Sequence, residues 1–129
     1  MAPHVKLRLL NDVYGVARLR PSDPVPAWAD GEGFVSISRT DDELSIVCRQ
    51  DRIPRDVQLD GGWSCFKFRG PFAFDETGIV LSVIEPLSTH GIGIFVVSTF
   101  DGDHMLVKSG DLEKARGLLA NAGHSLDAV

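Results

Sequence analysis

Gly91-Ile92-Gly93-Ile94-Phe95-Val96-Val97-Ser98-Thr99-Phe100-Asp101-Gly102-Asp103-His104-Met105-Leu106-Val107 is the stretch that decides the fold. Ile92–Phe100 is apolar and rich in β-branched residues, which predicts a strand buried on both faces. Asp101-Gly102-Asp103 has the composition of a hairpin turn, and His104–Lys108 returns as a second strand. Toward the C-terminus, Ser109-Gly110-Asp111 is placed to cap a helix whose apolar positions are Leu112, Ala115, Leu118, Leu119 and Ala122. Gly123 ends that helix, and a short last strand falls near His124–Leu126. Toward the N-terminus, Ile79, Val83, Ile84 and Leu87 recur at helical spacing, with Gly91 as the stop. Pro86 removes one backbone hydrogen bond from this helix, so a kink or a loosened last turn is expected. Asp75 or Thr77 is placed to cap its start. Ser64–Arg69 alternates around two phenylalanines, as a strand does. The order is βαββα(β), an α+β ferredoxin-like unit with an antiparallel sheet and helices on one face.

The N-terminal half echoes this plan in weaker form. Val13–Leu19, Phe34–Ser38 and Leu44–Cys48 read as strands. Pro21–Gly33 carries three prolines and leaves room for one short turn, near Ala27–Asp30. Gln50–Gly62 is polar and turn-rich, with a short turn at Arg52–Asp56. At an offset of 60 the two hairpins coincide in apolar and turn positions, with Ser38/Ser98, Asp41/Asp101 and Val47/Val107 identical. Unrelated apolar hairpins share some of this register, but the simplest reading is a tandem repeat, 1–62 and 63–129. Its first copy has a degraded first helix. At that offset Arg39 and Glu43 stand at the positions of Thr99 and Asp103, and Glu43 keeps an acid for a second, weaker site.

Composition excludes several classes. The 129 residues are 43% hydrophobic and 24% charged, ordinary for a globular chain. Net charge is −5, which argues against nucleic acid and anionic membranes. No apolar run approaches the ~18–20 residues of a membrane span, and the start lacks a signal-peptide pattern. A cytoplasmic location is therefore expected. Cys48 and Cys65 are the two cysteines, too few for a disulfide framework or metal knuckle.

Three segments resemble a known family. Phe34–Cys48 and Gly62–Pro71 look like the first-half signature of small bacterial tandem ACT-domain proteins, and Gly91–Val107 looks like the second-half signature. The same stretch is similar to the ACT domains of the animal cytosolic arginine sensors. The resemblance covers about Leu7 to His124. It implies two ACT-type βαββαβ units in tandem, modules that bind amino acids or other small ligands where two domains meet. It also implies that Thr99, Phe100 and Asp103 line the pocket, with Asp103 facing a cationic group. The sequence departs from the sensors at Gly102, where the arginine-binding one has an aromatic residue.

The residues agree with such a site on their own chemistry. An amino acid's carboxylate suits backbone N–H groups at a helix start, here Thr77, Gly78 and Ile79. Gly78 allows close approach to the backbone. Its ammonium suits Asp103 or Asp101, although Asp101-Gly102-Asp103 also reads as plain turn chemistry. Enzyme readings are weaker. His4, His90, His104 and His124 lack paired metal-ligand spacing. Asp103 and His104 are adjacent on a strand and face opposite ways, which defeats a triad with Ser98. Gly91-x-Gly93 precedes a strand rather than a helix, unlike a dinucleotide loop. The expectation is a non-enzymatic regulatory protein, homodimeric, without cofactor or metal, binding an amino acid and acting on a protein partner. The alternative is a protein–protein interaction module that has lost its ligand.

Overall fold

The computed structural model describes residues 3–69 and 77–128. Its elements are β1 (Lys6–Leu9), β2 (Tyr14–Leu19), β3 (Ser36–Arg39), β4 (Leu44–Arg49), β5 (Gln58–Phe68), α1 (Ile79–Ser88), β6 (Ile94–Ser98), β7 (Asp103–Lys108), α2 (Leu112–Asn121) and β8 (Ser125–Ala128). Short 3₁₀ turns lie at Ala27–Ala29, Gln50–Arg52 and Ser109–Asp111. The chain divides into two compact units. Asn11–Trp63 form one, and the residues up to Leu10 join those from Ser64 onward in the other.

The second of these, the helical unit, carries the strand order β8-β1-β5-β7-β6. Leu7, Phe66, Phe68, Met105 and Val107 are buried under Val83 and Leu87 of α1 and Ala115 and Leu119 of α2. Both helices thus cover one sheet face, the α+β plan expected. Sequence reading assigns no strand before residue 13, yet β1 pairs antiparallel with β5 and in parallel with β8. Its signal is one full alternation, Lys6 exposed, Leu7 buried, Arg8 exposed, too short to stand out. A boundary after residue 62 assigns β1 to the N-terminal half; its pairing puts it among the C-terminal elements.

Two further expectations change. β6 is Ile94–Ser98, shorter than Ile92–Phe100, and it is half-buried rather than buried on both faces. It pairs with β7 alone among the described strands. Ile92 is buried in the turn after α1 instead. The α1 N-cap is Gly78, at φ 78° and with no side-chain cap bond, so Thr77 does not cap the helix. Asp75 lies outside the described residues. Before α2, Asp111 takes the N-cap position without a side-chain bond, after the 3₁₀ turn.

Both helices stop in the same way. Gly91 (φ 79°) and Gly123 (φ 95°) adopt the left-handed conformation. The next amides, Ile92 and His124, reach back to the carbonyls of Leu87 and Leu119, each at 3.1 Å. Pro86 sits inside α1. Lacking an N–H, it leaves the carbonyl four residues earlier, Ser82, without a helical donor. His124 supplies one. Its Nε2 donates to Ser82 O at 2.8 Å, while its Nδ1 accepts the Val5 N–H at 3.0 Å. The ring is buried, 5% exposed, and these two bonds define its tautomer. One imidazole therefore ties the start of the β1 segment to α1 and the end of α2.

The smaller unit orders its strands β3-β4-β2-β5, using the first half of β5. Ala17, Ala29, Leu44, Ile46, Cys48 and Ile53 form its core. The loss of helix goes further than expected: among its described residues there is no α-helix, only the two 3₁₀ turns. Prolines at 21, 24 and 26 break the first, and only residues 50–57, with Pro54 among them, separate β4 from β5. Gln58–Gly62, expected as turns, is strand. Its side chains are polar or small, but its backbone pairs with β2 through Ala17↔Leu59 and Arg18↔Gln58.

His124→Ala strands the buried Val5 N–H and the part-buried Ser82 C=O, so it should cost about 1–3 kcal/mol in denaturant unfolding. In a Pro86→Ala background, the new amide of residue 86 can serve Ser82, so the same substitution should cost less. Equal losses in both backgrounds would refute the pairing of Pro86 with His124.

Candidate functional site

The candidate site is built on the β6–β7 hairpin. Ser98 pairs with Asp103, leaving a four-residue loop, 99–102. The loop is closed by Thr99, whose N–H and Oγ1 both donate to Gly102 O, at 2.6 and 2.9 Å. The Ser98 hydroxyl donates to Asp103 Oδ1, which orients that carboxylate. Phe100, at the loop tip, is 80% exposed.

Beside the loop lies a cavity of about 390 Å³, lined by Lys67, Phe68, Thr99, Asp101, Gly102, Asp103 and His104. Phe68 O approaches the loop; a Cβ on Gly102 would sit 3.5 Å from it, an ordinary contact. The Lys67 backbone pairs with Arg8 of β1, while its side chain and that of Asp101 line the hollow. Burial holds the His104 imidazole down at about 4, from an ordinary 6.5; Lys67 adds to this and Asp103 opposes it. His104 is therefore neutral at pH 7.

Of the residues singled out by sequence, Thr99 and Asp103 line the cavity. Phe100 shares their loop but is not in the described lining, nor are Thr77 and Gly78 at the start of α1. Sequence reasoning missed Lys67 and His104 as cavity residues. Lys67 is the lone charge in Phe66-Lys67-Phe68, and that interruption of an apolar run was its signal. Catalytic groupings gain no support. Asp103 and Met105 share one face of β7 and His104 the other, so Asp103 does not orient His104. Burial pushes the Cys65 thiol up to about 12 and raises Cys48 as well, which suppresses thiolate chemistry. Among the described residues no three metal-ligating side chains converge.

The smaller unit carries a matching hairpin, but at an offset of 59 rather than 60. Ser36↔Val47 corresponds to Phe95↔Leu106, and Arg39↔Leu44 to Ser98↔Asp103. The 3₁₀ turns after each hairpin, Gln50–Arg52 and Ser109–Asp111, follow the same spacing. Thr40 thus matches Thr99, and its N–H likewise bonds to Glu43 O, at 2.9 Å. Arg39 and Glu43 fall opposite Ser98 and Gly102. The position of Asp103 is taken by Leu44, which is fully buried. Arg18 Nη2 donates to Asp42 O at 3.0 Å across this loop. Of the two cavity acids, Asp103 has no acidic counterpart here, while Asp42 stands at the position of Asp101.

Fold and cavity together define a small α+β protein of ferredoxin-like plan with a ligand-sized hollow at a strand end. Comparison with known proteins makes this specific. Residues 58–121 match the family model described as ACT domain, and residues 12–56 match a model of an N-terminal domain. The chain belongs to the ACT-domain family. It is 33% identical over 99 residues to the cytosolic arginine sensor for mTORC1 subunit 1 from Bos taurus, across 67% of this chain and 30% of that protein. The human counterpart is 34% identical over 82 residues, 57% of this chain and 25% of its own length. The chain thus spans under a third of the length of these curated relatives. A crystal structure of a protein from Agobacterium tumefaciens is 75% identical, with TM-score 0.95 over 99% of this chain and 96% of that one. The regulatory subunit of aspartate kinase from Thermus thermophilus shares the fold, with TM-score 0.58 at 9% identity over 86% and 93% of the two chains. No helix among the described residues is long and apolar enough to cross a membrane.

The depressed pKa of His104 has a defined sign in stability. The unfolded chain takes up the proton near 6.5 and the folded one only near 4, so stability is whole above 6.5 and drains away as pH falls toward 4. The thermal midpoint should fall across that window, and it should fall less in His104→Gln. Equal falls in the two proteins would contradict the neutral, half-buried imidazole.

Proposed function

We propose that this chain is a non-catalytic regulatory protein that senses a free amino acid in the cavity beside the β6–β7 hairpin. The observation that carries the reading is that cavity itself, with Lys67 on its wall together with Asp101 and Asp103. A zwitterion needs both signs of charge at short range, and a small polar ligand fits a hollow of this size. Asp103 takes the cationic group, oriented by the Ser98 hydroxyl. Thr99 supports the loop, and Phe100 is the hydrophobic wall that closes over bound ligand. Gly78 and Thr77, at the start of α1, stand outside the described lining, so the cationic pole of the site is Lys67.

The ACT family match supports an amino-acid ligand, as do relatives named for arginine sensing and for aspartate kinase regulation. The ACT family match supports a homodimer. The cytosolic relatives support a cytoplasmic location. Ligand binding then favours one state of the protein over another and so alters a partner protein. The interaction-module alternative draws on Phe100 and Leu81, large apolar side chains left exposed.

A thermal-shift screen against the twenty amino acids separates the two readings. Ligand at one hundred times its Kd adds about 2.7 kcal/mol, which raises the midpoint by several degrees. At least one amino acid should give such a shift, and Asp103→Asn, which keeps an acceptor for Ser98, should abolish it. A flat wild-type response at millimolar concentration would favour the interaction module.

A further inference from the structure

We propose that Lys67 is the specificity residue that reads the ligand's α-carboxylate, so that the cavity accepts free amino acids and rejects their amides. This inference rests on the amino-acid reading of the cavity. Lys67 is the one cationic side chain in the described lining, since His104 is neutral there at pH 7. No ion pair joins it to Asp101 or Asp103 among the described residues, although all three line the same hollow. Opposite charges that share a cavity without pairing leave a gap between them. A molecule carrying both charges fits that gap, its ammonium toward Asp101 in the loop and its carboxylate toward Lys67.

The placement along β5 strengthens the assignment. Phe66 and Phe68 belong to the core under α1 and α2, so Lys67, between them, projects from the opposite sheet face. His104 lies on that same face relative to Met105 and Val107, and the charge of Lys67 is felt at its imidazole. The first residues of α1 are absent from the described lining. The positive charge nearest the ligand is thus a side chain on β5 rather than a helix terminus.

Calorimetric titration of the full chain tests this, with each of the twenty amino acids offered as the free acid and as its carboxamide. The wild type should prefer the acid of its ligand by about tenfold or more, the size of a lost charge-assisted hydrogen bond. Lys67→Met should bring the acid-to-amide ratio close to one by weakening only the acid, and Lys67→Arg should restore the preference. Wild-type protein that binds acid and amide alike overturns the inference. So does a Lys67→Met variant that keeps the wild-type ratio; in either case the amino-acid reading stands. Failure of the wild type to bind any of the forty compounds removes both.

Discussion

The helical unit turns on one imidazole. Pro86 cannot complete the α1 ladder, and the carbonyl it abandons at Ser82 is taken by His124 Nε2. The other ring nitrogen accepts the Val5 amide, at the entrance to β1. His124 is itself held by the turn that Gly123 makes at the end of α2. A proline in a helix and a histidine in a loop each look costly in isolation; together they leave both the Ser82 carbonyl and the Val5 amide satisfied. Through them α1, α2 and the β1 segment are fixed to one another, and β1 in turn pairs along β5, the strand that presents Lys67 and Phe68 to the cavity.

The two hairpins show what a repeated plan keeps and what it discards. Loop length, the threonine-closed turn and the following 3₁₀ turn are common to both. These are backbone features, set by sterics and hydrogen bonding. The chemistry differs. Where the helical unit has Asp103 facing a cavity, the smaller unit has buried Leu44, and Arg18 bonds across its loop at Asp42. At the matching position one hairpin offers an acid to a hollow and the other buries a leucine.

Much of this plan is legible in the sequence because period and punctuation are strong there. Val83, Leu87, Ala115 and Leu119 announce buried helix faces, and Gly91 and Gly123 announce the ends. β1 is not legible, since four residues with one buried leucine give no period to count. Gln58–Gly62 is not legible either; that segment is a strand by virtue of its partner β2, and propensity is overridden by pairing. Within the candidate site, Thr99 and Asp103 can be singled out in advance because they flank a turn. Lys67 is distant in sequence and reaches the site only through β5. The hairpin equivalence also misses by one residue, since apolar matching places Glu43 opposite Asp103 while the hydrogen-bond register places Leu44 there.

The central claim is that the helical unit's hairpin, and not its counterpart, is the ligand site. Amide chemical-shift mapping of the ¹⁵N-labelled full chain, titrated with mixtures of the twenty amino acids, addresses it most directly. The account predicts that shifts concentrate at Lys67–Phe68 and Thr99–His104, with Thr40–Leu44 unmoved. Shifts centred on Thr40–Leu44, or none with any mixture, would contradict it.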